Sequence, residues 1–146
     1  MIHPSNSYFL IWPVGRSDWL SQCLAKRKSI AEFLSQTISS TGIDAAIKQY
    51  HDLKSTQPAV YNFDKSELNS LGYQLLTNKN LKDAIRIFQL NVEAYPQSGD
   101  VYDSLVEAYM DDGDRRLAIA NYQKSLQLDP SNSDAVQMLK KLNSTN

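Results

Sequence analysis

One spacing pattern occurs twice between residues 65 and 130, and it constrains the fold more than any other feature of this chain. Each residue of the second copy lies 34 positions after its counterpart in the first. A fixed period of this length, held over nine positions, is typical of a solenoid built from stacked repeats. The first copy comprises Leu68, Leu71, Gly72, Leu75, Ala84, Ile85, Phe88, Val92 and Pro96, and the second Tyr102, Leu105, Val106, Tyr109, Ala118, Ile119, Tyr122, Leu126 and Pro130.

The spacing inside each copy predicts two helices joined by a turn. Positions 68, 71, 72 and 75 follow the i, i+3, i+4, i+7 rule that places side chains on one face of an α-helix, and a second stripe follows. Polar turns separate the stripes at 77–80 and 111–114, where Asn and Gly are expected to supply left-handed backbone. Pro96 and Pro130 cannot continue a helix. Each copy is therefore predicted to be a helical hairpin with an apolar inner side.

At these residues the chain resembles the tetratricopeptide repeat (TPR) family, over the units 65–98 and 99–132. The resemblance implies an all-α fold in which antiparallel helical hairpins stack as a short right-handed solenoid. Phe88 and Tyr122 are then expected to occupy equivalent places in the core. The departures from the family pattern are Leu68 and Tyr102 in place of Trp, Val106 in place of a small residue, and Asn91 and Ser125 in place of Ala.

A divergent unit is predicted at about 28–58, ahead of the two clear ones. Ala46, Ile47, Tyr50 and Pro58 keep the internal spacing of a second helix, but they precede their counterparts by 38 residues instead of 34. The surplus is assigned to an aromatic linker at 59–64. Terminal repeats are commonly atypical in solenoids, so the whole of 17–146 is interpreted as a single TPR-like domain.

Three helix ends are predicted from capping residues. Ser17 is expected to cap a helix that continues through the basic positions 26–28 as far as Ile38. Asp64 is predicted to open a capping box in which the Glu67 side chain reaches back to the start of its own helix. A final helix at 133–142, capped by Ser131 or Ser133, is expected to cover the exposed face of the last repeat.

Residues 1–16 form a separate aromatic segment, predicted to be extended or strand-like because Pro13 and Gly15 end it. It lacks a basic region before the apolar run, so a signal peptide is not predicted. Three interpretations remain open: the segment packs on the first helices and covers the end of the solenoid, it lies in a groove, or it joins two protomers as a homo-oligomer contact. Its apolar residues are Tyr8, Phe9, Leu10, Ile11 and Trp12.

Composition argues against several classes of partner and cofactor. Fifteen basic residues balance sixteen acidic ones, so no strong field favours nucleic acid or an anionic membrane. No apolar run reaches the roughly 20 residues that span a bilayer, and a cytoplasmic location is expected. The single Cys23 forms no intrachain disulfide, and His3 and His51 are too far apart to suggest a metal cluster. No Gly-rich loop offers a phosphate site, and no cofactor is predicted.

Catalysis is not predicted either. No nucleophile and base can be paired from the spacing, and His51 beside Asp52 is explained by a solvated helix surface. The acidic turn at 111–114 lacks the closing Glu of a twelve-residue calcium loop. The chain is therefore expected not to be an enzyme.

A second resemblance covers 29–142 and rests on phrases at 43–54, 67–73 and 101–105. They are similar to the helical repeat domain appended to some bacterial serine hydrolases of the β-lactamase-like esterase type. That family's nucleophile motif has Ser and Lys three residues apart, and no serine here has Lys at the third place. The resemblance implies an accessory or regulatory domain of such a hydrolase, without catalysis of its own.

Binding of a protein or peptide is the preferred function. First helices of stacked hairpins line a concave side that usually holds extended peptides. The two carboxylates expected there would repel a C-terminal carboxylate, so the Lys and Asn clamp of chaperone-binding relatives does not match. A segment with a basic or hydrogen-bonding residue beside an apolar anchor fits better. The predicted binding residues are Asn69, Tyr73, Leu76, Asp103, Glu107 and Met110.

Overall fold

The computed structural model describes residues 26–144, and almost all regular structure in that range is helical. Three helical hairpins follow one another and a single helix closes the series, so the predicted all-α helical repeat is confirmed. In chain order the helices are α1 (Ile30–Thr41), α2 (Ile43–Thr56), α3 (Lys65–Thr77), α4 (Leu81–Ala94), α5 (Gly99–Asp112), α6 (Arg115–Leu128) and α7 (Ser133–Ser144).

The hairpins stack so that like helices become neighbours. The first helix of each hairpin packs on the next one, α1 on α3 and α3 on α5, and the second helices α2 and α4 do the same. Helix α4 also packs on α5, and α7 covers α6. The first helices therefore form one continuous layer, and this layer carries the residues predicted to bind a partner.

A short parallel pairing joins the segments that lead into α1 and α3. Lys28 and Ser29 (β1) pair with Tyr61 and Asn62 (β2). The helix predicted to run through positions 26–28 is therefore wrong in the described range, and α1 begins only at Ile30. Its expected start at Ser17 lies outside the described residues.

The segment predicted as an aromatic linker contributes to the core. Tyr61 and Phe63 are only 9% and 8% exposed. Their rings lie 6.4 Å apart, and Phe63 meets Tyr50 of α2 edge-on at 5.4 Å. Because the linker supplies two buried aromatic rings, it ties the first hairpin to the second.

The core extends through the matching positions of the hairpins. Leu71 and Leu105 are both buried, and so are Ala84 and Ala118. The spacing pattern left out Ile87 and Leu90, yet both are buried. The reason is that α4 contacts α2, α3 and α5, so that more than one of its faces is covered.

The turns between paired helices differ in how they obtain left-handed backbone. Gly113 ends α5 with a φ of 79°, and its nitrogen donates to the Met110 carbonyl at 3.2 Å. At the matching position of the preceding hairpin stands Lys79, with a φ of 60°. The expectation that Asn would take this role is wrong at 77–80, since Asn78 and Asn80 keep negative φ. A lysine there carries strain that a glycine would not.

Glu67 holds two hairpins together instead of capping its own helix. Asp64 caps α3 as predicted, accepting from the Ser66 backbone nitrogen at 2.9 Å. The Glu67 carboxylate accepts from Ser29 Oγ at 2.5 Å, from the Ala31 backbone nitrogen at 3.2 Å and from Asn62 Nδ2 at 3.0 Å. The prediction that Glu67 reaches back is wrong because donors from the preceding hairpin lie within its reach.

Phe88 of the second hairpin and Tyr122 of the third hold matching positions in the repeat, but Tyr122 is less deeply buried. Phe88 is 0% exposed, whereas Tyr122 is half-buried. A Cβ atom at Gly72 would lie 2.4 Å from Phe88 Cε1, so the Phe88 ring can occupy this position only because residue 72 has no side chain. Position 106 carries valine instead of glycine, and Val106 is itself buried. The expectation of equivalent surroundings for Phe88 and Tyr122 is therefore wrong.

Candidate functional site

The predicted binding residues occupy one stripe on α3 and one on α5. Asn69, Tyr73 and Leu76 on α3 are half-buried. On α5, Asp103 is half-buried and Glu107 is exposed. Met110 is 37% exposed, and it is one of the exposed large apolar residues in the described part of the chain.

Tyr73 brings the two stripes together. Its hydroxyl donates to Ser104 Oγ across the α3–α5 boundary at 3.4 Å, and its ring meets Phe88 edge-on at 5.2 Å. Burial raises the pKa of Tyr73, and the charges of Glu107 and Asp103 raise it further, although the hydrogen bond with Ser104 acts in the opposite direction. The two carboxylates predicted for the site therefore act on the same tyrosine.

Tyr122 and Asp134 belong to this surface but were not predicted. The pKa of Tyr122 is raised by burial and then by the charges of Asp103, Glu107 and Asp134. We call Tyr73, Tyr122, Asp103, Glu107 and Asp134 the acidic aromatic surface. The sequence carried a signal for Tyr122, because position 106 has valine where the preceding repeat has Gly72.

Asn132 connects the last helix to this surface. Its Oδ1 accepts from the Ala135 backbone nitrogen at 3.0 Å, so Asn132, and not Ser131 or Ser133, caps α7. Its Nδ2 donates to Asp103 Oδ2 at 2.6 Å. The second oxygen of Asp103 is buried without a hydrogen-bond partner. Asp103 is thus held in place on one side and has an unused acceptor on the other.

A cavity of about 130 Å³ lies beside the acidic aromatic surface, between the amino-terminal parts of α3 and α5. Ser104, which accepts from Tyr73, forms part of its wall, so the cavity and the surface adjoin. The polar residues that line the cavity are Lys65, Ser66, Asn69, Asn91, Asp100 and Ser104.

Two acceptors of this cavity have no hydrogen-bond partner. Asn91 is 0% exposed, and its Nδ2 donates to the Lys65 carbonyl at 3.0 Å. The Oδ1 atoms of Asn91 and Asn69 are both buried and unsatisfied. A buried acceptor without a donor costs about 1–3 kcal/mol. Asn91 was recognisable in the sequence as a polar residue at a position where the repeat pattern has Ala.

Lys65 and Asp100 form an ion pair at the rim of the cavity. Lys65 Nζ lies 2.8 Å from Asp100 Oδ2 and 2.8 Å from Ser98 Oγ. Burial works to raise the pKa of the Asp100 carboxyl, but hydrogen bonds from Lys65 and Ser98 outweigh it and the pKa is lowered. Asp100 is therefore an anion at neutral pH, and its partner lysine is already engaged.

Residues suited to other chemistry are dispersed over the described part of the chain. His51 is exposed and lies 3.7 Å from Glu93 on the side of the second helices. No group of three or more His, Cys, Asp or Glu within 26–144 is placed to hold a metal ion. None of the helices in the same range is both long and apolar enough to cross a bilayer. The aromatic segment Tyr8 to Trp12 lies outside the described residues.

Comparison with known proteins gives matches at the level of structure. No protein-family model matches the chain, and no curated protein matches it. The first TPR of Spaghetti (RPAP3) bound to HSP90 peptide SRMEEVD aligns with a TM-score of 0.53 at 18% identity, covering 79% of this chain and 88% of that one. The second TPR domain of human RPAP3, in complex with HSP70 peptide SGPTIEEVD, aligns with a TM-score of 0.53 at 15% identity, covering 85% and 97%.

The fold is a TPR fold. MamA 41-end from Desulfovibrio magneticus RS-1 aligns with a TM-score of 0.52 at 22% identity, covering 79% of this chain but only 63% of MamA. This TPR-like chain thus spans less than two thirds of the MamA structure. At these identities the likeness is one of fold. The resemblance to a hydrolase-appended domain stays a prediction.

Proposed function

We propose that this chain is a protein-interaction module that binds an extended segment of a partner along α3 and α5, and that it is not an enzyme. The proposed contacts are the six predicted residues Asn69, Tyr73, Leu76, Asp103, Glu107 and Met110, together with Tyr122 and Asp134. The observation that carries the proposal is the geometry of the acidic aromatic surface, in which the Tyr73 hydroxyl joins α3 to α5 through Ser104 and Asn132 holds the Asp103 carboxylate in place.

The chemistry of this surface supports binding of a segment with an apolar and a positively charged part. Tyrosine rings provide large contact area at low conformational cost and are enriched at interfaces. Met110, which follows Glu107 by about one turn on α5, is an exposed and adaptable apolar side chain. Asp103, Glu107 and Asp134 attract cations and speed their encounter.

The same charges distinguish the proposed partner from the peptides in the similar structures. SRMEEVD and SGPTIEEVD both end in acidic residues. Carboxylates at positions 103 and 107 would repel such an end. Like-charge contacts across an interface oppose wrong partners, so the proposed partner segment is basic or neutral.

Selection from a random peptide library displayed on phage, using the full chain as bait, tests this function. Selected peptides are then synthesised, and their affinities are measured by fluorescence polarisation against the wild type and Glu107→Lys. We expect micromolar binding that weakens by about tenfold or more in the variant, equivalent to about 1.4 kcal/mol.

Glu93→Lys is the matched control, because Glu93 is 66% exposed on α4 and lies away from the surface, near His51. Circular dichroism verifies that both variants keep their helices. Equal affinity for the wild type and Glu107→Lys would exclude this face. Equal loss in both variants would show that only net charge matters, which would also contradict the proposal.

A further inference from the structure

The cavity between α3 and α5 has more acceptors than donors. Asn69 Oδ1 and Asn91 Oδ1 have no partner, and the Asp100 carboxylate forms the rim. The orientation of the Asn91 amide follows from its surroundings, since its Nδ2 faces the Lys65 carbonyl at 3.0 Å. If the amide were flipped, Asn91 Oδ1 would face the Lys65 carbonyl oxygen, and two acceptors would be in contact. The free oxygen of Asn91, which is 0% exposed, is thus fixed as an acceptor in the cavity wall.

Lys65 and Ser104, two donors near the cavity, are already engaged, whereas the Ser66 hydroxyl, which also lines the cavity, is a further donor. Lys65 Nζ is bound to Asp100 and Ser98. The Ser104 hydroxyl donates to the Asp100 carbonyl at 3.3 Å and accepts from Tyr73. An occupant that satisfies Asn69 Oδ1 and Asn91 Oδ1 therefore has to bring its own N–H or O–H donors.

Size and charge narrow the choice of occupant. The volume of about 130 Å³ exceeds several times the roughly 30 Å³ that one water occupies in the liquid, so a side-chain head group fits. An anion would meet the two unsatisfied oxygens, and an apolar group would leave both of them unpaired. The rim adds little net charge, because Asp100 is paired there with Lys65. Guanidinium and ammonium groups carry five and three donors respectively and no acceptor. The neighbouring Asp103 and Glu107 add attraction for a positive charge.

We propose that this cavity receives the positively charged side chain, arginine or lysine, of the bound partner segment. The inference rests on the proposed function and specifies the residue that anchors the partner. The cation donates to Asn69 Oδ1 and Asn91 Oδ1 and shares the Asp100 carboxylate with Lys65. The rest of the segment then continues past Ser104 towards Tyr73.

A titration of the full, isotope-labelled chain with N-acetyl-arginine methylamide, followed by NMR, tests the cavity without any peptide. We expect saturable shifts of the Asn69 and Asn91 side-chain amide signals, with a millimolar dissociation constant. N-acetyl-norleucine methylamide and N-acetyl-glutamate methylamide, which offer no charge or the opposite charge, should give no saturation.

Asn91→Ala removes the buried acceptor and should weaken arginine binding at least tenfold. Asn121→Ala is the matched control, because Asn121 Nδ2 also donates to a backbone carbonyl, that of Leu117, at 2.9 Å. This control should bind as the wild type does. Should Asn91→Ala fail to fold, Asp100→Asn at the exposed rim provides the second variant, with weaker binding expected.

Three results would overturn the inference: no saturation with the arginine probe, equal response to norleucine, or unchanged affinity in both Asn91→Ala and Asp100→Asn. The first result would mean that the cavity holds water only, the second that the probes bind without regard to charge, and the third that arginine binds outside the cavity. Peptides that are selected by the chain and depend on Glu107 would then still support the proposed function. If the selection yields no peptide, the proposed function fails, and the partner-anchoring role fails with it even when arginine binds.

Discussion

The ring of Phe88 occupies the space that a side chain at position 72 would need. A Cβ atom at Gly72 would lie 2.4 Å from Phe88 Cε1 and 2.5 Å from Cζ. The glycine of α3 and the phenylalanine of α4 are thus a single packing unit, and α3 and α4 approach each other through it.

Gly72→Ala should destabilise the domain, although alanine favours a helix over glycine by about 1 kcal/mol. Overpacking a well-filled core costs about 1–3 kcal/mol, and the short contact indicates the upper part of that range. We expect a net loss of about 1–2 kcal/mol in the free energy of unfolding, measured by urea denaturation with circular dichroism. Ser70→Ala, at an exposed position of the same helix, should change it by less than about 0.5 kcal/mol. A Gly72→Ala variant at least as stable as the wild type would contradict this packing.

Phe88 and Tyr122 should differ in their contribution to stability despite their matched positions. Truncating a fully buried phenylalanine costs about 3–5 kcal/mol, and Phe88 is 0% exposed. Tyr122 is half-buried, so Tyr122→Ala should cost only about 1–2 kcal/mol. Urea denaturation of both variants compares them directly. Equal losses, or a loss under about 1 kcal/mol for Phe88→Ala, would argue against the repeat packing described above.

Glu67→Ala should loosen the first hairpin from the second. The variant leaves the Ser29 hydroxyl, the Ala31 backbone nitrogen and the Asn62 amide without their shared acceptor. Hydrogen bonds to charged groups contribute about 1.5–3 kcal/mol, and we expect a loss of about 2 kcal/mol. Native-state hydrogen exchange should show faster exchange at the Ala31 amide. Glu32→Ala, at an exposed position of α1, is the control. Unchanged protection of Ala31 in Glu67→Ala would be inconsistent with the bridge.

Lys79→Gly should stabilise the domain. A non-glycine residue in the left-handed region pays about 1–2 kcal/mol, and glycine recovers part of this while losing more conformational freedom on folding. We expect a gain of about 0.5–1 kcal/mol in thermal or urea unfolding. The reverse change at the matching turn, Gly113→Lys, should produce a loss of similar size, since Gly113 has a φ of 79°. A neutral or destabilising Lys79→Gly would mean that the lysine side chain contributes contacts of its own.

Acidification should weaken the fold through Asp64 and Asp100. The backbone nitrogen of Ser66 lowers the pKa of the Asp64 carboxyl. For Asp100, burial opposes the decrease in pKa, but Lys65 and Ser98 outweigh it. Since both pKa values are lowered on folding, the stabilisation is present above the unfolded value of about 3.9 and is lost as the pH falls through the folded values.

Urea denaturation at a series of pH values measures this effect. The double variant Asp64→Asn and Asp100→Asn keeps side chains of similar shape but removes both titrating groups. Its stability should fall less steeply below pH of about 4 than that of the wild type. The same slope for both proteins would assign the acid sensitivity to other groups.

The sequence alone determined the class of fold and its register. Helical spacing and the 34-residue period can be read directly from the order of residues in the chain. Each helix carries an apolar stripe that has to be buried, and stacking of the hairpins buries these stripes. Leu71 and Leu105 were predicted at matched depths, and both are buried. The same spacing placed the six predicted binding residues on α3 and α5. Their role in binding remains a proposal.

Tertiary structure decided the features that depend on side chains brought together from distant positions. Two donors to Glu67, Ser29 and Ala31, come from a different hairpin. Phe88 and Tyr122 differ in burial although their positions match in the repeat. The unsatisfied oxygen of Asn91 matters only because α3 and α5 leave a cavity beside it. A periodic pattern specifies which face of a helix is buried. It does not specify which donor lies within 3 Å of which acceptor, because that distance depends on how the helices pack against each other.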